Sequence, residues 1–261
     1  MAETLTSAQN PKVKRLLALQ KDSSLRRECG LFVVEGRREI GRCVAAGFEV
    51  DSVFFCPEIE GGTVPPGSPP SRCFAVTKDI YDKIAYRGGT EGIIAEVRVK
   101  RLTLDELELK EDPLVVVLES VEKPGNLGAV LRSADAAGAD ALLVCDPLTD
   151  IYNPNVVRAS TGAVFTVPTV ACSTADAIAW LKAKGIRILT AQLQDSSLYY
   201  DCDMRAGTAI VMGTESTGLS QEWRHAADAH IRIPMLGAAD SLNVSVSAAI
   251  LLYEAVRQRR R

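Results

Sequence analysis

Three stretches near the C-terminus combine short apolar runs with small or polar residues that could bind a ligand. Ala209-Ile210-Val211-Met212 meets Gly213, Ile231-Arg232-Ile233 meets Pro234, and Ser241-Leu242-Asn243-Val244-Ser245 opens a long apolar segment. Runs of that length and composition predict buried strands. Open α/β sheets hold ligands in loops at the carboxyl ends of such strands. Gly213 would let a ligand approach the backbone, because it carries no Cβ. Ser241, Asn243, Ser245 and Ser247 alternate with Leu242, Val244 and Val246. A Ser or Asn suits a helix N-cap, but four polar residues exceed what a cap needs. The long run that follows is not β-branched, so the segment is expected to enter a helix rather than a strand.

Other chemistry has few residues to work with. The two histidines, His225 and His230, are spaced so that they do not share a helix face, which argues against a metal pair. The seven cysteines, at 29, 43, 56, 73, 145, 172 and 202, form no C-x-x-C pair and are odd in number. Structural zinc and a disulfide framework are therefore not expected, and no metal is. No G-x-G-x-x-G follows a strand with an acid farther on, which sets aside a dinucleotide-dependent enzyme.

The elements that would carry these loops follow from the apolar pattern. Leu114-Val115-Val116-Val117-Leu118 is a β-branched run that predicts a central strand buried on both faces, as in parallel sheets. After it, Leu127, Val130, Leu131 and Ala134 make the buried stripe of a helix over 126–137. Asn126 and Arg132 lie off that stripe and can face a site. Further strands are expected at 141–145, 187–191 and 208–212, and helices from 153 and over 174–183. The alternation predicts a mainly parallel sheet covered by helices. Val246, Ala249, Ile250, Tyr253 and Val256 have helical spacing in the last segment.

Upstream, strands are expected at 31–34, 51–55, 72–76 and 92–97, with helices at 10–22, 37–46 and 77–85, which makes a small α/β domain. Glu60 to Ser71 is rich in Gly and Pro and reads as a surface loop. The charged connector RLTLDELELKED separates this part from the rest. The expected division is 1–98, a linker over 99–112, and 113–261.

The chain of 261 residues is 47% hydrophobic and 24% charged, an ordinary soluble composition. No apolar run is long enough to span a membrane, and the N-terminus lacks the apolar core of a secretory signal, so a cytoplasmic location is expected. The net charge of −3 does not by itself point to nucleic acid. Its distribution does: Met1 to Arg42 holds nine Lys/Arg, among them Lys12, Lys14, Arg15 and Arg37, against five Asp/Glu. Local clusters of this kind attract phosphates.

VMGTESTGLS, IPM and SLNVSVSAA, preceded by Asn126-Leu127-Gly128-Ala129-Val130-Leu131-Arg132-Ser133, resemble in order the signature motifs of the SpoU/TrmH family. These are S-adenosylmethionine-dependent RNA ribose 2′-O-methyltransferases of the SPOUT superfamily. The resemblance implies a C-terminal SPOUT α/β domain with a trefoil knot and an N-terminal L30e-like RNA-binding domain. It also implies a homodimer and an rRNA or tRNA substrate. It places Gly213, Ile233, Met235 and Leu242 at the cofactor, where loop backbone groups would read the adenine edge and apolar side chains its faces. It places Asn126, Arg132, Glu215, Ser241 and Asn243 at the reacting ribose. Family accounts have the Arg activate the hydroxyl. A guanidinium gives up its proton only above a pKa of ~12, so orientation and charge stabilisation are the expected role of Arg132. Two departures stand out: Thr214 and Ser216 replace an Asn and a Gly of the second motif, and Glu91 stands where a Gln often precedes the Gly-Ile-Ile-Ala strand. These leave a second hypothesis, a non-catalytic RNA-binding protein that kept the fold. Binding of S-adenosylmethionine separates the two.

Overall fold

The computed structural model describes residues 3–60, 64, 70–86, 91–213 and 218–260. The chain divides into two compact units, Met1–Lys100 with Tyr152–Thr166, and Arg101–Ile151 with Val167–Arg261.

The first unit runs β1 (Glu3–Leu5), α1 (Pro11–Lys21), α2 (Ser23–Cys29), β2 (Leu31–Glu35), α3 (Arg37–Ala45), β3 (Val50–Phe55), α4 (Pro57–Glu60), β4 (Cys73–Val76), α5 (Lys78–Ile84) and β5 (Ile93–Arg98). Helix α1 starts where Asn10 accepts the Lys12 backbone N–H at 2.9 Å and Pro11 occupies the first turn. Asp22 then caps α2, accepting the N–H groups of Ser24 and Leu25, and Gly30 ends it at φ 63°. The sheet has the order β1-β4-β3-β5-β2 and is mixed: β5 lies antiparallel to both β2 and β3, while β4 lies parallel to β1 and β3. Its core gathers Val13, Leu16 and Leu19 of α1 with Leu31, Val33, Phe54, Phe74 and Ile94 of the strands.

This sheet also buries acid. Asp51 and Glu96 are almost fully covered. Glu96 accepts from Arg15 Nε at 3.3 Å and from Ser52 Oγ at 2.6 Å. Asp51 accepts from Arg72 at 2.7 Å and from Arg98 at 2.9 Å. Buried carboxylates need such partners, because an uncompensated charge in a low dielectric is costly.

The second unit opens with β6 (Leu114–Glu119), α6 (Pro124–Ala137) and β7 (Ala141–Cys145). The chain then supplies α7 (Pro154–Ala159) and α8 (Ala163–Thr166) to the first unit. It returns as β8 (Thr169–Cys172), α9 (Thr174–Ala183), β9 (Arg187–Ala191), β10 (Ser197–Leu198), β11 (Thr208–Met212), α10 (Gln221–Ala226), β12 (Ala229–Arg232) and α11 (Val244–Arg259). The sheet order is β10-β12-β9-β11-β6-β7-β8, and every pairing between its described strands is parallel. The β-branched run of β6 is wholly buried, as expected for a central parallel strand. The chain leaves β6 toward β8 on one side and later returns to place β11 on the other. That reversal is a topological switch point.

Helix α11 lies on α6. Val244, Ala248, Leu251, Leu252 and Ala255 are buried, whereas Val246 and Tyr253 from the expected apolar stripe are 47% and 51% exposed. Its far end is held by Arg259, whose guanidinium donates to the backbone carbonyls of Met204, Asp112, Pro113 and Ala206.

Two boundaries differ from the sequence expectation. Residues 152–166, expected in the second domain, pack with the first unit through aromatic contacts. Tyr152 stacks on Phe32 at 4.4 Å, and Phe165 meets Phe48 edge-on at 5.4 Å. The expected linker is largely folded into the second unit, where Leu107 is buried and Leu102, Leu104 and Leu109 pack beside it. Most of the Gly/Pro-rich loop lies outside the described residues.

Candidate active site

The carboxyl ends of β9, β11 and β12 and the start of α11 enclose a cavity of about 620 Å³. Gly213, Ile233, Met235, Leu242, Ser241 and Asn243 all line it. Gly213 is there because nothing larger fits. A Cβ on it would stand 2.8 Å from the Leu219 nitrogen and 2.9 Å from the Gly218 carbonyl carbon. Ile233 and Met235 are half-buried, and Leu242 is 38% exposed. They present apolar surface to the opening, as a flat heteroaromatic ligand requires.

Asn243 does two things. Its Oδ1 accepts the Ser245 N–H at 2.9 Å, which caps α11. Its Nδ2 donates to Asn126 Oδ1 at 3.2 Å, which ties the start of α11 to the first turn of α6. Ser241 Oγ donates to Asp240 at 3.3 Å. Arg132 is exposed on α6 and is not in the cavity wall. Among the described residues its side chain has no hydrogen-bond partner. Glu215, with Thr214 and Ser216, lies outside the described residues.

Four residues that sequence reasoning did not single out complete the geometry. Glu119 ends β6, and its carboxylate accepts the Ser220 N–H at 2.8 Å, fixing the start of α10. An acid closing a wholly apolar strand was the available signal. Gln192, Arg224 and Asp240 line the cavity. Gln192 Oε1 and Arg224 Nε are buried without a hydrogen-bond partner. Buried polar groups are nearly always paired, so a cavity holding two orphaned atoms is built for a polar ligand as well as an apolar one. Among the described residues no group of His, Cys, Asp or Glu is placed to hold a metal.

In the first unit the four basic residues expected at RNA behave differently. Lys14 is exposed. Lys12 pairs with Glu3 and sits 4.3 Å over the Phe74 ring. Arg15 is held by Glu96 and Asp51. Burial opposes its charge, but the hydrogen bond and charge of Glu96, with Asp51, outweigh that and raise its pKa. Arg37 is half-buried at the start of α3, where its backbone N–H donates to the Glu91 carboxylate. Glu91 therefore serves the positive end of a helix.

Residues 113–253 match the SpoU rRNA Methylase family. The chain belongs to that family. Residues 10–95 match the MRM3-like substrate binding domain. The chain is 32% identical to a 23S rRNA (uridine(2479)-2′-O)-methyltransferase of Streptomyces viridochromogenes, over 99% of this chain and 93% of the relative. A crystal structure of an RNA 2′-O ribose methyltransferase superposes with a TM-score of 0.83 at 40% identity, covering 99% of this chain and all of the other. An AdoMet-bound rRNA methyltransferase from Sinorhizobium meliloti superposes with a TM-score of 0.89 at 31% identity, with 98% of each chain covered. As a SpoU family member the chain is an RNA ribose 2′-O-methyltransferase, and its methyl donor is S-adenosylmethionine. No helix among the described residues is long and apolar enough to cross a membrane.

Proposed function

We propose that this enzyme methylates a ribose 2′-hydroxyl of 23S rRNA, with the second unit holding the donor and the first unit holding the RNA. The observation that carries the site assignment is the convergence of Gly213, Ile233, Met235, Leu242, Ser241 and Asn243 on one cavity at the carboxyl ends of three parallel strands. S-adenosylmethionine, when bound, supplies a sulfonium methyl that leaves sulfur as the carbon–oxygen bond forms.

The chain's own residues hold the rest. Gly213 keeps the β11 loop close-packed and its backbone open to the adenine edge. Ile233, Met235 and Leu242 cover the adenine faces. Asn126 and Asn243 orient the ribose from their shared hydrogen bond, with Ser241 beside them. Arg132 orients the RNA and stabilises the charge that develops on the 2′-oxygen as its proton leaves. At the first unit, exposed Lys14, with Lys12 and Arg37, meets the RNA backbone, while Arg15 contributes mainly by holding the sheet together.

The reading includes a deep C-terminal knot and a homodimer. Val246 and Tyr253, seven residues apart on one exposed face of α11, support the dimer. An rRNA substrate supports a cytoplasmic location. The test uses labelled S-adenosylmethionine and 23S rRNA, followed by mapping of ribose methylation. One 2′-O-methyl site is expected, lost in Arg132→Ala while donor binding persists. Methyl found on a base overturns the chemistry. Absence of donor binding leaves the non-catalytic alternative standing.

A further inference from the structure

Arg224 is the one cation of the cavity wall whose side chain the described residues leave without a hydrogen-bond partner. It comes from α10, whose start is fixed by Glu119 through Ser220. Its Nε is buried and has no hydrogen-bond partner. The other arginine of the wall, Arg232, has a partner in Ser196 Oγ at 3.4 Å. A half-buried guanidinium gains from a carboxylate that meets it with two parallel bonds, and loses from being left alone. The chain turns beside it at Gly218, whose φ of 68° favours glycine. A Cβ there would come within 3.9 Å of Arg224 Nη2.

We propose that Arg224 binds the carboxylate of the donor's amino-acid end. This rests on the cavity being the donor site. That carboxylate is the only anionic group of S-adenosylmethionine, which otherwise carries an ammonium and a sulfonium. An RNA phosphate is the competing anion. It is attached on two sides to a bulky chain, whereas the carboxylate ends a short flexible arm that can enter the cavity where the guanidinium is buried. Arg224 thereby distinguishes the full donor from ligands that share only its nucleoside part.

Calorimetry on the full chain tests this with S-adenosylmethionine, S-adenosylhomocysteine and 5′-methylthioadenosine, which lacks the amino-acid end. Arg224→Gln is expected to weaken the first two by roughly 10- to 100-fold, the range for a lost hydrogen-bonded charge. Its affinity for 5′-methylthioadenosine stays within about twofold, which also reports an intact cavity, and Arg224→Lys recovers part of the loss. An equal fall for all three ligands overturns the proposal in favour of a structural role. Unchanged binding of all three with a raised KM for rRNA overturns it in favour of a phosphate contact. If the wild-type chain binds none of the three, the donor site itself is misassigned and this inference falls with it. If the wild-type binds them and Arg224→Gln matches it, this inference alone fails.

Discussion

The two sheets of this protein handle charge in opposite ways. In the first unit, Asp51 and Glu96 sit inside the sheet and draw Arg15, Arg72 and Arg98 around them. In the second, Val115, Val116 and Val117 run through a strand that is apolar up to its last residue, Glu119, and Arg224 and Gln192 face the cavity at the carboxyl ends of the sheet. The difference separates two uses of a cation. Arg15 is fully engaged before any ligand arrives, so its charge serves the fold. Arg224 is not, so its charge remains available to a ligand. A count of basic residues along the first unit treats both kinds alike and overstates how much of that charge faces RNA.

The sharpest way to break this contrast is at the rim. Gly213→Ala pushes a Cβ into the Leu219 and Gly218 backbone, and overpacking of that kind costs about 1–3 kcal/mol. The loop that must shift lines the cavity proposed for the donor. An affinity loss of about 100-fold for S-adenosylmethionine is therefore expected, beside a fall in unfolding free energy of about 1–3 kcal/mol. Binding within twofold of wild type would mean that the rim is not the site. A loss of stability alone is expected of Arg15→Ala. Breaking a buried pair costs about 3–5 kcal/mol, but the Arg15 side chain is 37% exposed, and water screens part of that loss. Urea unfolding should show about 2 kcal/mol of destabilisation, with donor affinity unchanged. Weaker donor binding without loss of stability would put Arg15 in the wrong class.

Much of the second unit was legible because its strands are self-contained apolar runs. Leu114 to Leu118 and Ala209 to Met212 need no distant partner to be recognised. Two short helices were not read: α2 is set by Asp22 and Gly30 and α10 has Ser220 at its N-cap, and neither has enough turns to show a period. The place of 152–166 was hidden because ring contacts among Phe32, Phe48, Tyr152 and Phe165 join residues far apart in sequence. At the site, Gly213, Ile233, Met235 and Leu242 stood out through ordered motifs. Gln192 and Arg224 did not, since an unpartnered buried atom is a property of the folded surroundings and leaves no mark on residue type.

A smaller effect probes how the rim is tied to the helices. Asn243→Ala removes both the cap of α11 and the bond to Asn126, so a loss of about 1 kcal/mol in stability is expected. Combined with Asn126→Ala in a double-mutant cycle, a coupling of about 0.5 kcal/mol or more would show that the two asparagines act as one unit. Additive losses would reduce Asn243 to a cap.

The smallest effect expected is at Lys14, and it bears most directly on the two kinds of cation. Lys14 stands one residue before Arg15 on α1, exposed and, among the described residues, without an ion pair. Composition cannot tell the neighbours apart, but their surroundings can. Removing an exposed charge from a surface helix changes stability by less than about 0.5 kcal/mol, so Lys14→Ala should unfold like wild type. If Lys14 meets an RNA phosphate, its loss weakens RNA binding only a few-fold and lowers the dependence of log K on log salt by about 0.7–0.9. Measured beside Arg15→Ala, the two variants should separate cleanly, one moving the unfolding curve and the other the salt slope. A Lys14 variant that leaves the salt slope intact would place the RNA on another face of the first unit. The orientation of α1 toward solvent would then be a consequence of its buried Val13, Leu16 and Leu19 alone.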